Sequence, residues 1–147
     1  MMKEQVFVDT GGWFAVLVGD DKFSKLAVPQ YRLLVEAEAE LITSNYVVAE
    51  VITLLRRHAS WPAFHKLANQ FKRIIGEGYV SLVNIGSRYD SPLHDAFMHW
   101  FGEFPRERLS YTDCVSFEIM RRLDIRNAFA FDRHFQKAGF RLIPGLP

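Results

Sequence analysis

The sequence predicts an α/β fold in which helices cover both faces of a central, mostly parallel sheet. Three observations predict it. Short apolar, β-rich runs alternate with longer segments of helical periodicity along the chain. The runs lack the polar alternation of half-exposed strands, as expected of strands covered on both faces. The connections between them are long enough for helical crossovers, which join parallel neighbours with a right-handed turn.

Gln5 to Val8 reads as the first strand, ended by Asp9. Thr10-Gly11-Gly12 reads as a turn, and Trp13 to Val18 as a short buried helix closing near Gly19. Lys22 to Ala39 suits a second helix with an acidic end, in which Pro29 predicts a kink or an early boundary. Leu41 to Thr43 is strand two. Ser44 or Asn45 can cap the helix that continues through VVAEVITLLRRH, and Ser60 with Pro62 opens another, so the two form a helical hairpin. In the second, Phe64, Leu67, Ala68, Phe71, Ile74 and Ile75 recur at helical spacing until Gly76-Glu77-Gly78 stops it. Tyr79 to Ile85 is strand three, and Asp90-Ser91-Pro92 opens a helix with a Leu93, Ala96, Phe97, Trp100, Phe101 stripe. After the loop GEFPRERL, Ser110 and Asp113 have the S-x-x-D spacing of a capping box before a helix reaching Leu123. Ala128 to Phe131 is a strand ending at Asp132, and Arg141 to Ile143 a last edge strand.

The 147 residues suit one domain, 1–147, with 49% hydrophobic and 14% aromatic content for a core and 24% charge for solubility. A single cysteine, Cys114, excludes an internal disulfide framework and a cysteine-based zinc site, so a reducing, cytoplasmic setting is expected. Cys114 itself reads as core packing. No stretch approaches the ~18 uninterrupted apolar residues of a membrane span, and the N-terminal run is broken by Asp9, so neither insertion nor export is expected.

Four acids stand in or beside apolar segments: Asp9 in VFVDTGG, Glu50 in NYVVAEVITLL, Asp113 in LSYTDCVSF and Asp132 in AFAFDRHF. A lone buried charge is costly, so each needs compensation. Singly, Asp9 and Asp113 can be helix-capping or first-turn acids and Asp132 a turn residue. Glu50 is harder to explain that way, because Val47 and Leu54 flank it at helical spacing and no basic residue does. In an open parallel sheet, sites form at the carboxyl ends of strands, where Asp9 and Asp132 fall and toward which Glu50 and Asp113 can point. Four converging anions require either a retained proton or a shared cation. All-oxygen ligation favours Mg2+ or Mn2+ over zinc.

Competing motifs fail on their neighbours. Asp9-Thr10-Gly11 has the aspartic-protease triplet, but the chain is rich in helical pattern and has no second copy. A haloacid-dehalogenase-type phosphatase needs an acid where Gly11 stands. His58, His65, His94, His99 and His134 include no H-x-x-x-H or H-E-x-x-H pair, and most read as surface residues. Trp13, Trp61 and Trp100 read as core or interface residues rather than base-stacking platforms.

Net charge is +1, yet setting the four acids aside leaves 13 acidic residues against 18 Lys and Arg, a balance of +5. From Val51 to Gly76 no acid occurs, while Arg56, Arg57, Lys66, Lys72 and Arg73 do. That run suits either phosphates or an ordinary solvated helix face.

The ordered set of Asp9 after a strand, Glu50 on a helix, LSYTD at a helix start and FAFDRHF at a strand end resembles the PIN-domain ribonucleases over nearly the whole chain. In size and segment order it is most similar to the VapC-type toxins of prokaryotic toxin–antitoxin pairs. The resemblance implies a three-layer α/β/α PIN-like fold and one or two Mg2+ or Mn2+ ions held by Asp9, Glu50, Asp113 and Asp132. It also implies support of the pocket by Thr10 and Thr112 and metal-dependent hydrolysis of RNA to a 5′-phosphate and a free 3′-hydroxyl. Arg56, Arg57, Lys66, Lys72, Arg73 and Arg133 would hold the RNA backbone. A small antitoxin and a homodimer are the implied partners. The chain departs from the family where Ala130 replaces a common Ser or Thr and Gly11 a small polar residue. A solitary RNA-processing enzyme, a DNA-directed nuclease using the same pocket and a catalytically silent binding module remain open, although no acid is missing.

Overall fold

The computed structural model describes residues 3–147; Met1 and Met2 of the expected domain lie outside the described residues. Five strands, β1 (Gln5–Val8), β2 (Glu40–Ser44), β3 (Val80–Val83), β4 (Asn127–Phe129) and β5 (Arg141–Ile143), form one sheet in the order β3-β2-β1-β4-β5. Every neighbouring pair is parallel, with Val6 opposite Leu41 on one side and Asn127 on the other. The seven helices are α1 (Thr10–Leu17), α2 (Ser24–Glu36), α3 (Asn45–His58), α4 (Trp61–Ile75), α5 (Pro92–Glu103), α6 (Tyr111–Arg122) and α7 (His134–Lys137).

Strand order explains the three layers. From β1 the chain steps to β2 and β3 in one direction, then returns across the sheet to β4 and β5. Right-handed crossovers taken in opposite directions deliver helices to opposite faces. Two aromatic clusters mark these faces. Trp13 of α1 meets Tyr31 of α2 and Phe71 of α4 edge-on, while Phe117 of α6 meets Trp100 of α5 and Phe135 of α7. Between them Val6, Phe7, Leu41, Ile42, Ala128 and Phe129 are buried, which accounts for strands without polar alternation.

The boundaries differ from the sequence reading most at four places, and β3 is also shorter, Val80–Val83 rather than Tyr79 to Ile85. First, α1 starts at Thr10, so Gly11 and Gly12 are helical rather than a turn. Gly12 is required there by a close approach, because a Cβ would stand 2.4 Å from the Phe129 carbonyl oxygen. Second, α2 is shorter than expected and runs on through Pro29. Third, β4 ends at Phe129, three residues before Asp132. Fourth, α7 was not anticipated; its four residues are too few to show a period. The remaining start signals behave as read. Ser44 caps α3 through Val47 N–H, Ser60 caps α4 through Ala63 N–H, and Ser110 with Asp113 forms a reciprocal capping box on α6.

The turning point of strand order lies between β1 and β4. A crevice opens outside their carboxyl ends, as open α/β sheets require.

Candidate metal centre and cleft

Asp9, Thr10, Glu50, Asp113 and Asp132 line one cleft of about 330 Å³ at that point, together with Gly11, Asp21, Lys22 and an apolar wall including Phe14, Phe23 and Phe131. Phe23 and Phe131 stack with centroids 4.4 Å apart. The four acids come from segments more than 120 residues apart at the extremes, and each has its own anchor.

Asp9 is fixed through backbone. Its N–H donates to Phe129 O of β4 (3.1 Å) and its carbonyl accepts from Trp13 N–H (3.1 Å). Trp13 Nε1 donates to Thr43 Oγ1 (3.2 Å), which donates to Val8 O (3.0 Å), so the first turn of α1 is tied to β1 and β2 beneath the cleft. Glu50 projects from the second turn of α3 and accepts from Thr10 Oγ1 (3.2 Å), the supporting contact expected of Thr10. Asp113 is held by the capping box: its Oδ2 accepts from Ser110 N–H (3.0 Å), and Ser110 Oγ accepts from Asp113 N–H (3.0 Å). Asp132 Oδ1 accepts from His134 N–H (2.9 Å), an Asx-type turn that starts α7.

Thr112 does not line the cleft; Ser110 is the hydroxyl that steadies Asp113. Of the expected phosphate contacts, Arg56, Arg57, Lys66, Lys72 and Arg73 are exposed on the α3–α4 hairpin and Arg133 is exposed beside Asp132, but none lines the cleft. Arg56 lies over the Trp61 and Phe64 rings. The basic residue at the rim is Lys22. Cys114 is core, its thiol pushed by burial up to about 11, and Trp13 is core as read. Trp61 is 57% exposed.

Two histidines depart from a surface role. His94 is buried between Tyr111 OH (2.6 Å) and Ser87 O (3.0 Å). His134, half-buried, stands with Asp113 and Asp132 in a group whose ligand atoms all lie within 4.8 Å of one another. Sequence reading missed it, although its place two residues after Asp132 was a usable signal.

Burial pushes the Asp9 carboxyl well above its ordinary value, reinforced by the charges of Asp113, Asp132 and Glu50, while the Thr10 backbone amide opposes the shift. Asp113 is raised too, first by burial, with the Asp132 charge adding to it against the hydrogen bonds from Ser110. Among the described residues no Lys or Arg nitrogen lies within 4.0 Å of any of the four carboxylates. Oxygen donors that are buried at Asp9 and Asp113, half-buried at Glu50 and Asp132, and mutually repelling fit a hard divalent ion. The same arrangement suits chemistry at a phosphodiester, where such an ion offsets the charge of the phosphate.

The chain matches the family described as PIN domain over residues 6–141. It is 30% identical over 135 residues to the 23S rRNA-specific endonuclease VapC20 of Mycobacterium tuberculosis, strains CDC 1551 / Oshkosh and ATCC 25618 / H37Rv, covering 92% of this chain and 95% of that protein. The crystal structure of Mycobacterium tuberculosis VapC20, described as a sarcin–ricin loop cleaving toxin, matches with a TM-score of 0.75 at 30% identity, over 92% of this chain and 95% of that one.

Proposed function

The chain belongs to the PIN-domain family, and from that premise we propose that it is a metal-dependent endoribonuclease, one nuclease domain over 1–147, acting as the toxin of a toxin–antitoxin pair. The observation that carries the reading is the cleft: four carboxylates from distant segments converge at the sheet's turning point, and among the described residues no Lys or Arg nitrogen lies within 4.0 Å of them. PIN nucleases use a divalent metal, and the all-oxygen donors of these acids favour Mg2+ or Mn2+.

Asp9 and Asp113 are the principal ligands in this reading, and Asp132 completes the ligand set and its charge balance. A divalent ion bound there supplies a Lewis acid to the scissile phosphate and lowers the pKa of water. Glu50, which accepts a hydrogen bond from Thr10, would accept a proton from the attacking water in this reading. Lys22 at the rim, with Arg56, Arg57, Lys66, Lys72, Arg73 and Arg133 farther out, offers cations to the RNA backbone. The stacked Phe23 and Phe131 wall limits water on one side and strengthens the electrostatics within.

The activity described for VapC20, cleavage of 23S rRNA at the sarcin–ricin loop, makes structured ribosomal RNA the first substrate to test. A small antitoxin, a homodimer and a cytoplasmic location complete the proposal. Among the described residues no helix is long and apolar enough to cross a membrane.

The test is cleavage of labelled structured and single-stranded RNA, with DNA controls, by the purified protein in Mg2+, Mn2+ or EDTA, beside Asp9→Asn. Metal-dependent cutting of RNA that disappears in folded Asp9→Asn is expected. Full activity in Asp9→Asn, or undiminished cutting in EDTA, would overturn the metal mechanism; preference for DNA would overturn the substrate class. Metal binding without cleavage of any substrate would favour the silent binding module.

A further inference from the structure

His134 stands beside the cleft, grouped with Asp113 and Asp132, and its two ring nitrogens have opposite surroundings. Nε2 lies 3.2 Å from Glu107 Oε2, while the other oxygen of Glu107 pairs with Lys137 Nζ. Nδ1 faces the acids, 3.0 Å from Asp132 Oδ1 and 3.9 Å from Asp113 Oδ2. It is shut off from solvent and makes no hydrogen bond. At 3.0 Å that absence means that Asp132 Oδ1 lies off the direction a ring N–H would take.

We propose that His134 Nδ1 is a ligand of the divalent ion held by Asp113 and Asp132, and that Glu107 selects the tautomer that makes it one. The inference rests on the metal-dependent reading and adds to it a donor other than oxygen. Its logic begins at Glu107. The Glu107 carboxylate is paired with the Lys137 ammonium through one oxygen and faces Nε2 with the other. An N–H on Nε2 donates to that anion and leaves the lone pair on Nδ1, which points among carboxylates. Metal-bound histidines are oriented in this way, with the remote N–H donated to a carboxylate.

Distances agree. Two donors on adjacent positions of an octahedral ion, each about 2.1 Å from it, stand about 3.0 Å apart. The Nδ1 to Asp132 Oδ1 separation has that value, and Asp113 Oδ2 at 3.9 Å remains within the span of a single ion. The fold enforces the pose: His134 N–H is bonded to the same Asp132 oxygen, which turns the ring back over the carboxylate. An imidazole donor also carries a preference. Mg2+ demands hard oxygen ligands, whereas imidazole suits transition metals, so His134 tilts the cleft toward Mn2+.

The experiment is pulsed electron paramagnetic resonance of Mn2+ bound to the full-length protein, with 15N-histidine labelling, beside equilibrium binding of Mn2+ and Mg2+ to wild type and His134→Gln. Expected are a directly coordinated histidine nitrogen in the wild type, its loss in His134→Gln, and a Mn2+ affinity lowered by about 10-fold to 100-fold with a smaller change for Mg2+. If His134→Gln does not fold, the labelled wild-type spectrum decides alone, since His134 is the imidazole in the acid cluster among the described residues. Bound Mn2+ without a histidine nitrogen, or a nitrogen signal that survives in folded His134→Gln, overturns the ligand role while leaving the carboxylate site standing. Failure to bind Mn2+ at all overturns both.

Discussion

Helix α6 carries two buried acids, and they meet opposite fates. Glu118, with its side chain 4% exposed, accepts from Trp100 Nε1 (3.0 Å), Arg121 (2.5 Å) and Arg122 (2.6 Å). Burial alone would raise its carboxyl, but these donors outweigh it and bring it to about 2. Asp113, five residues earlier on the same helix, has only a capping serine and the edge of His134 beside it, and its carboxyl is raised. The difference teaches where this chain supplies its own countercharge and where it withholds it. Arginines at i+3 and i+4 make Glu118 a structural strut. Their absence around Asp9 and Asp113 leaves an electrostatic deficit that an ion can fill.

Breaking the functional half of this contrast gives the largest effect. Asp113→Asn keeps an acceptor for Ser110 N–H, so the fold should survive by circular dichroism, while RNA cleavage falls about a thousandfold or more, near 4 kcal/mol in barrier height. Retention of wild-type rates would remove Asp113 from the mechanism. The structural half breaks differently. Arg121→Ala combined with Arg122→Ala leaves the Glu118 carboxylate with only its Trp100 donor, and urea unfolding should report a clear fall in midpoint, moderated because both arginines are half exposed. A change below 0.5 kcal/mol would mean that water reaches Glu118.

Metal sharpens the contrast. Mn2+ at a hundredfold excess over its dissociation constant should stabilise the wild type by about 2.7 kcal/mol, read as a rise in the thermal midpoint, and Asp9→Asn should lose most of that response. An equal response in both would place the ion elsewhere. The smallest effect, of order 1 kcal/mol, is the pH dependence of the metal-free protein. Asp9 and Asp113 have raised carboxyls, so their contribution favours folding in acid and is lost as pH rises from the ordinary aspartate value, 3.8, through the raised values. Glu118 runs the other way: its contribution is present above the ordinary glutamate value, 4.5, and is lost as pH falls toward about 2. Urea midpoints measured in EDTA should therefore peak in mild acid and decline toward neutrality, and Mn2+ should flatten the decline. A metal-free optimum at neutral pH would contradict the electrostatic account of the cleft.

Much of the fold was legible because its signals are local. The limits of β1 and β5, the Ser44 and Ser60 caps and the α6 capping box all follow from residues within a few positions of one another. The four acids were legible because an acid in an apolar segment stands out. What stayed hidden depends on contacts across the sheet. Gly12 looked like a turn residue, since nothing nearby in sequence reveals that Phe129 presses against its backbone. Asp132 was assigned to a strand end, but Ala130 and Phe131 leave the sheet before it. The pairing of His134 with Glu107 spans 27 residues, and the basic run between Val51 and Gly76 carries no information on the direction its side chains take. Glu118 was overlooked because a glutamate followed by two arginines reads as an ordinary solvated helix face.

The position of β4 has a consequence for the order of synthesis. This strand lies beside β1 near the middle of the sheet, yet it comes from the last fifth of the chain, and it supplies both the carbonyl that holds Asp9 N–H and the segment leading to Asp132. A growing chain that has not reached Asp132 can pair β1 with β2 and β3, but it has neither the second wall of the crevice nor its fourth acid. Until that closing strand has emerged and docked, a nascent chain therefore lacks an assembled cleft.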